Sequence, residues 1–393
     1  MGRVGSRIVG LLSVVALVAL APAGRESAGV RMVSFGPQGE LLIARPEIRM
    51  ELRPESGREI VDVELRVNGQ REPAEFDPET GTLSYVTPKP LPAGQVEFGV
   101  TLTMDDRARL GKRWVANIQP NALADYLTPD DSSERALRAV NSMRARAGLP
   151  AAEFNRCLTT AAELHARYLE QNDERGHQQS ADRPGFFGET LKERLARLGW
   201  NAGGIEATVH DVEDPAFALE SAFDAPYHRL AFLQPGKMAV GFGSEGDTTT
   251  MVCNMNRERT AILSPRMGET GVPTAWINNE SPNPVRFFPD AERRLGYPIV
   301  IRENGVTTGL EVESVSVTCE GKSISTYVID GVRDSGLKGA AFIIPTQPLA
   351  RGAEYTVSAR YRVDGDLETR TWSFSTGRVV TKRNPSSRAT KTR

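Results

Sequence analysis

Between residues 29 and 120 apolar side chains recur at every second position. Val61, Val63, Leu65 and Val67 alternate with Asp62, Glu64 and Arg66, and Val96, Phe98, Val100 and Leu102 repeat the pattern. A period of two places one face of a strand on a core and the other in water, as in antiparallel sheets. Asn68-Gly69, Asp77-Pro78, Thr80-Gly81 and Pro88-Lys89-Pro90 punctuate the segment with turn residues. Residues 272–377 read the same way, with Tyr355, Val357, Ala359, Tyr361 and Val363 in strict alternation. Both segments are predicted to be all-β sandwiches.

The two ends also share a motif. Pro90-Leu91-x-x-Gly94 is followed 20 residues on by Trp114, and Pro348-Leu349-x-x-Gly352 is followed 20 residues on by Trp372. In each case a turn leads into an alternating strand, and the last strand carries the tryptophan. Equal spacing with equal local roles predicts two copies of one module. Both copies resemble bacterial immunoglobulin-like domains.

The middle of the chain changes period. Thr128-Pro129-Asp130-Asp131 offers an N-cap at Thr128 with proline at the first helical position. Leu137, Val140, Met143 and Ala147 then recur at helical spacing, and Gly148 supplies the stop. Further helices are expected over about Leu158–Asn172, Glu189–Leu198 and Asp214–Ala225. Strands are expected over Met238–Phe242 and Thr249–Cys253. Helices and strands in one block predict an α+β domain over 128–258. The fold class is therefore multidomain, with a central α+β domain between two all-β sandwiches.

The N-terminus adds an address. Arg3 and Arg7 precede the apolar run Ile8–Ala21, and Ala21-Pro22-Ala23 is a small-x-small site. The run is too short to span a bilayer, so residues 1–28 read as an export signal cleaved near 23–28. The expected location is secreted, periplasmic or cell-surface. No later stretch has the length and apolarity of a transmembrane helix. The net charge of −2 hides a basic tail over 378–393, with Arg378, Lys382, Arg383, Arg388, Lys391 and Arg393 and no acid. The acidic body argues against nucleic acid as a partner. The tail's Ser/Thr/Arg-rich composition predicts disorder.

All four histidines, His165, His177, His210 and His228, fall in the middle block. His165 lies on the apolar face of its helix and reads as a core residue. His210 sits in an acidic loop. His177, after Gly176, and His228, after Pro226-Tyr227, are better placed to face a cleft. Glu206 is an isolated acid in the strip Gly203-Gly204-Ile205-Glu206-Ala207. His177, His228 and Glu206 could hold zinc or another divalent cation with an open position, or form a metal-free polar cluster. Of the three cysteines, Cys157 and Cys253 share the block and are the candidate disulfide; separate buried thiols are the alternative.

Several segments of the block, in order, resemble the CAP family (cysteine-rich secretory, antigen 5, pathogenesis-related 1). They are Ala136-Leu137-x-x-x-Asn141-x-x-Arg144-x-x-x-Gly148-Leu149-Pro150, Leu158 to Tyr168, Gly176-His177, Arg194-Leu195-x-x-x-Gly199-Trp200, Glu206, Ala225-Pro226-Tyr227-His228-Arg229 and Val240-Gly241-Phe242-Gly243. The resemblance implies a three-layer α-β-α sandwich with a cleft holding two histidines and two acids, where some members bind a divalent metal. It puts His177, Glu206 and His228 in three of those places, with Glu220 or Asp224 in the fourth. Here Gly204-Ile205-Glu206-Ala207 stands for the usual Gly-Glu-Asn, and Phe223 for a common tryptophan. Three functions follow: non-enzymatic binding of a lipid, glycan or other cell-envelope ligand, which is favoured; a metal-dependent hydrolase; and a structural or adhesive surface protein. Gly-x-Ser-x-Gly and His-Glu-x-x-His are absent.

Overall fold

The computed structural model describes residues 29–377 apart from Ser56 and Arg257. The expected export signal and basic tail lie outside the described residues. The chain is multidomain and mostly β, with several sheets and few helices.

The first module contains β1 (Val30–Gly36), β2 (Gly39–Ile43), β3 (Glu47–Pro54), β4 (Ile60–Val67), β5 (Gln70–Glu72), β6 (Glu75–Asp77), β7 (Thr82–Val86), β8 (Gly94–Met104) and β9 (Arg109–Leu123). One sheet runs β1-β3-β7-β6 and the other β2-β9-β8-β4-β5. Val96, Phe98, Val100 and Leu102 are all buried between them, as the alternation requires. Val61 departs from the pattern. A register shift between Ile60 and Asp62 turns it outward, and it is 58% exposed; an extra residue in one strand flips the side chain beside it.

The middle block contains α1 (Asp131–Arg146), β10 (Ala152–Phe154), α2 (Arg156–Asn172), α3 (Leu191–Arg197), β11 (Gly204–Val209), α4 (Pro215–Asp224), α5 (Pro226–Phe232), β12 (Met238–Glu245) and β13 (Thr248–Asn254). The cap of α1 is Asp130, not Thr128: its carboxylate accepts from Ser133 N, and the helix starts later than expected. A carboxylate one residue before the first turn satisfies an otherwise orphaned amide and favours the positive helix end. Asn155, Thr190 and Asp214 cap α2, α3 and α4 in the same way. The sheet runs β10-β12-β13-β11. Val240, Phe242, Met251 and Cys253 pack toward α1, α4 and α5, whereas Val252 packs toward α2 and α3. Gly241 and Gly243 lie under α2; a Cβ at either would overlap that helix's backbone.

The second module contains β14 (Ala261–Ser264), β15 (Ala275–Ile277), β16 (Arg294–Gly296), β17 (Ile299–Glu303), β18 (Leu310–Cys319), β19 (Lys322–Ile324), β20 (Thr326–Ile329), β21 (Ala340–Pro345), β22 (Glu354–Val363) and β23 (Asp366–Ser375). Its main sheets run β14-β17-β21-β20 and β19-β18-β22-β23, beside a two-stranded sheet β15-β16; the main sheets repeat the strand order of the first module, except that β2 has no counterpart strand. The shared tryptophan has the same job in both. Trp114 Nε1 donates to Pro37 O at 2.8 Å, and Trp372 Nε1 donates to Pro265 O at 3.1 Å.

The modules hold the block from opposite sides. On one side Tyr126 OH donates to Leu198 O at 2.7 Å, and Ile43 joins Leu158, Leu198 and Trp200 in one apolar cluster. On the other, the block's core runs without a break into the second module, through Trp276, Val300, Phe342 and Ile344.

Candidate functional site

Glu206 is the centre of the polar cluster that the block builds. It sits on β11, where alternation directs Ile205, Ala207 and Val209 toward α4 and α5 and turns Glu206 toward α2 and α3. Its side chain is 3% exposed. Arg194 of α3, wholly buried, donates through Nη2 to both carboxylate oxygens at 2.9 and 2.7 Å. His177 Nδ1 lies 3.0 Å from Oε1, and His165 Nε2 lies 3.5 Å from the same oxygen. Burial opposes the charge on Glu206, but the His177 hydrogen bond and the neighbouring positive groups outweigh it and hold the carboxyl below its ordinary value.

Hydrogen-bond partners fix the rest of the cluster. Gln179 Oε1 accepts from Phe187 N at 3.0 Å, which makes Nε2 the donor to His165 Nδ1, also at 3.0 Å. The His165 proton is thereby assigned to Nε2, which points at Gly176 O, 3.3 Å away. Burial drives the His165 pKa down to about 4, so the ring is neutral at pH 7. Arg194 Nη1 donates to His177 O at 2.9 Å and holds the loop that carries His177. His177 is half exposed, and its ring is the cluster's face to solvent. His210 lies apart from Glu206, with Nδ1 3.1 Å from Thr248 Oγ1.

The structure does not bring His228 to this cluster. His228 is on α5, across the sheet from the Glu206 carboxylate, and its Nδ1 is 2.7 Å from Glu280 Oε1. Glu280 also accepts from the backbone N–H groups of His228 at 2.8 Å and Tyr227 at 3.2 Å. A side chain 52 residues away thus caps α5, which lacks a side-chain cap of its own. Glu220 and Asp224 lie on α4, whose core contacts are on that same far side. Asp224 Oδ1 accepts from Tyr297 OH at 3.0 Å.

The proposed set of His177, Glu206 and His228 is therefore divided by the sheet, and a divalent ion does not fit the residues present. The Glu206 carboxylate is already paired with the Arg194 cation. The orphaned polar atom here, Arg194 Nε, is a donor, whereas a metal needs acceptors. Among the described residues no group of three His, Cys, Asp or Glu side chains is arranged to hold a metal.

The expected disulfide is also corrected. Cys157 and Cys253 are free and buried. Cys157 packs with Leu158 and Val252 on the α2 face, and Cys253 packs with Val240 and Met251 on the opposite face. Their sulfurs point at Leu198 O and Ala231 O respectively. Burial raises both thiols, Cys253 to about 12, which keeps them protonated and inert.

Two other motif arginines are buried as staples. Arg144 donates to the carbonyls of Pro150, Phe232, Gln234 and Gly236. Arg229 donates to Phe223 O, Asp224 O and, in the second module, Pro298 O. Their place in the motifs was the only sequence signal of these roles. Glu280 had no such signal.

The family model for the cysteine-rich secretory protein family, CAP, matches residues 137–255. No curated protein matches. Among solved structures, an extracellular protein containing an SCP domain from Bacillus anthracis strain Ames is 19% identical, with a TM-score of 0.28. The match covers 44% of this chain and 64% of that one, so the chain spans less than two thirds of that protein. CopC from Methylosinus trichosporium OB3b is 12% identical, covering 24% of this chain and 97% of that chain, with a TM-score of 0.20. The ordered motifs and the matched span carry the same assignment: residues 137–255 are a CAP domain, and this chain is a CAP-domain protein.

Proposed function

We propose that this is an exported CAP-domain protein that binds a cell-envelope ligand, a lipid or a glycan, without turning it over. In this reading the domain is the three-layer α-β-α sandwich of its family, spanning 128–258. The flanking segments 29–120 and 272–377 are immunoglobulin-like modules. Residues 1–28 direct export, and 378–393 form a basic tail. The recognition surface is the His177 side of the domain.

The observation that carries the reading is the buried Arg194–Glu206 pair, in which Arg194 Nη2 donates to both carboxylate oxygens. A guanidinium there neutralises the carboxylate in a buried site and competes with any cation for it. That favours binding over a metal-dependent hydrolase. It leaves His177, half exposed and held from beneath, as a donor or acceptor toward a ligand.

The test is zinc titration of the purified chain by calorimetry, alongside His177→Ala, and co-sedimentation with isolated cell wall and with anionic lipid vesicles. No zinc uptake, together with retention on wall or vesicles that His177→Ala weakens, is expected. Tight, histidine-dependent zinc binding would overturn the non-enzymatic reading.

A further inference from the structure

A second candidate site lies at the seam between the first module and the CAP domain, away from Glu206. It is a cleft of about 270 Å3 lined by Glu40, Leu42, Gln119, Asn121, Phe186 and Arg197. Glu40 and Leu42 come from β2, Gln119 and Asn121 from β9, Phe186 from the loop before α3, and Arg197 from α3. Two different parts of the chain therefore supply its walls, a common origin for ligand sites.

Both walls are tied into the fold. β2 pairs in parallel with β9 from Gly39 to Leu41 and again at Ile43, and the irregularity between them holds Leu42, Gln119 and Asn121. The α3 side is fixed by Tyr126 OH on Leu198 O and by Gly199, whose missing side chain lets Pro37 and Pro46 come close. The polar groups are oriented before any ligand arrives. Glu40 Oε2 accepts from Asn117 Nδ2 at 2.8 Å and from Gln119 Nε2. The Arg197 guanidinium lies over the Phe186 ring, 5.8 Å from its centroid.

We infer that this cleft binds a short neutral saccharide. Carboxylate, carboxamide and guanidinium groups are planar, two-pronged partners that suit adjacent hydroxyls. Leu42 and Phe186 add an apolar patch for the C–H face of a sugar ring. One acid and one base leave the lining without net charge, which disfavours phosphate, polyanions and free cations. The volume lies just below the roughly 300 Å3 at which ligand pockets begin, so only part of an oligosaccharide is enclosed, and the polar rim does not suit a lipid tail.

The test is saturation-transfer NMR on the full chain with three neutral probes: chitotetraose in its N-acetylated form, cellotetraose and maltotetraose. At least one is expected to receive transfer. Its affinity should fall about tenfold or more in Asn121→Ala, an exposed position whose truncation spares the fold, and in Phe186→Ala, but hold in the distant Val332→Ala. Transfer to none of the probes, or binding indifferent to Asn121→Ala, overturns the proposal. Wall or vesicle retention that persists in Asn121→Ala leaves the reading of the His177 surface intact, so the two can fail separately.

Discussion

The two β modules share strand order and differ in what covers one face. Gly36 and Ser264 each precede the proline whose carbonyl takes the tryptophan bond. Gly36 pairs with Arg49, which pairs with Ser84; Ser264 pairs with Val300, which pairs with Phe342. The same lattice position therefore holds an exposed Arg49 beside a half-buried Ser84 in the first module and two wholly buried apolar residues in the second. Val300 and Phe342 continue the core of the CAP domain, with Phe342 edge-on to Tyr227 at 4.9 Å. Each such side chain taken from water contributes roughly 1.5–3 kcal/mol. The first module meets the domain along an edge strand and a linker, and keeps this sheet face polar. One fold thus serves as an appended unit at one end and as part of the domain's core at the other.

The comparison is broken most directly at Phe342. Phe342→Ala should cost about 3–5 kcal/mol in chemical denaturation and loosen the CAP domain with the second module. Ser84→Ala at the matching place should stay within about 0.5 kcal/mol. Equal effects would mean that the second module's face is not part of the core.

Acid should separate the domain from both modules, which contain no histidine. His165 has its pKa depressed to about 4, so between pH 6.5 and 4 the unfolded chain binds a proton that the folded chain refuses. Stability is then highest above pH 6.5 and falls as pH drops through that window, by up to about 3 kcal/mol. Glu206, also depressed, acts in the same direction at lower pH. Hydrogen exchange should show α2 losing protection at pH 5 while β8 keeps it. His165→Gln should flatten the pH slope.

Glu280→Ala tests the seam on a finer scale. It uncaps α5 and strips His228 of its partner, for a cost of about 1–3 kcal/mol read from the denaturation midpoint. If α5 keeps its amide protection without Glu280, the cap is not what holds it.

Much of this was legible in the pattern. Strict alternation marked β8 and β22, because sheet packing imposes a period of two wherever only one face is buried, and the tryptophan spacing marked two residues that make the same contact. The asymmetry between the modules was also encoded. Ile299-Val300-Ile301 and Ala340–Ile344 are unbroken apolar runs, the signature of strands covered on both faces. Val61 misled because a bulge is a property of two paired strands, not of one.

The site was legible only in part. The sequence by itself singled out His177, Glu206 and His228 as candidates, because they lie in the ordered motifs. Tertiary structure decided their company. Ile205 and Glu206 are neighbours in the chain yet face opposite sides of β11, so Glu206 meets Arg194 and His177 while His228 is left to Glu280. The same sheet parts Cys157 from Cys253. A sheet divides what a linear string sets side by side, and its far face can be completed by a residue from another module.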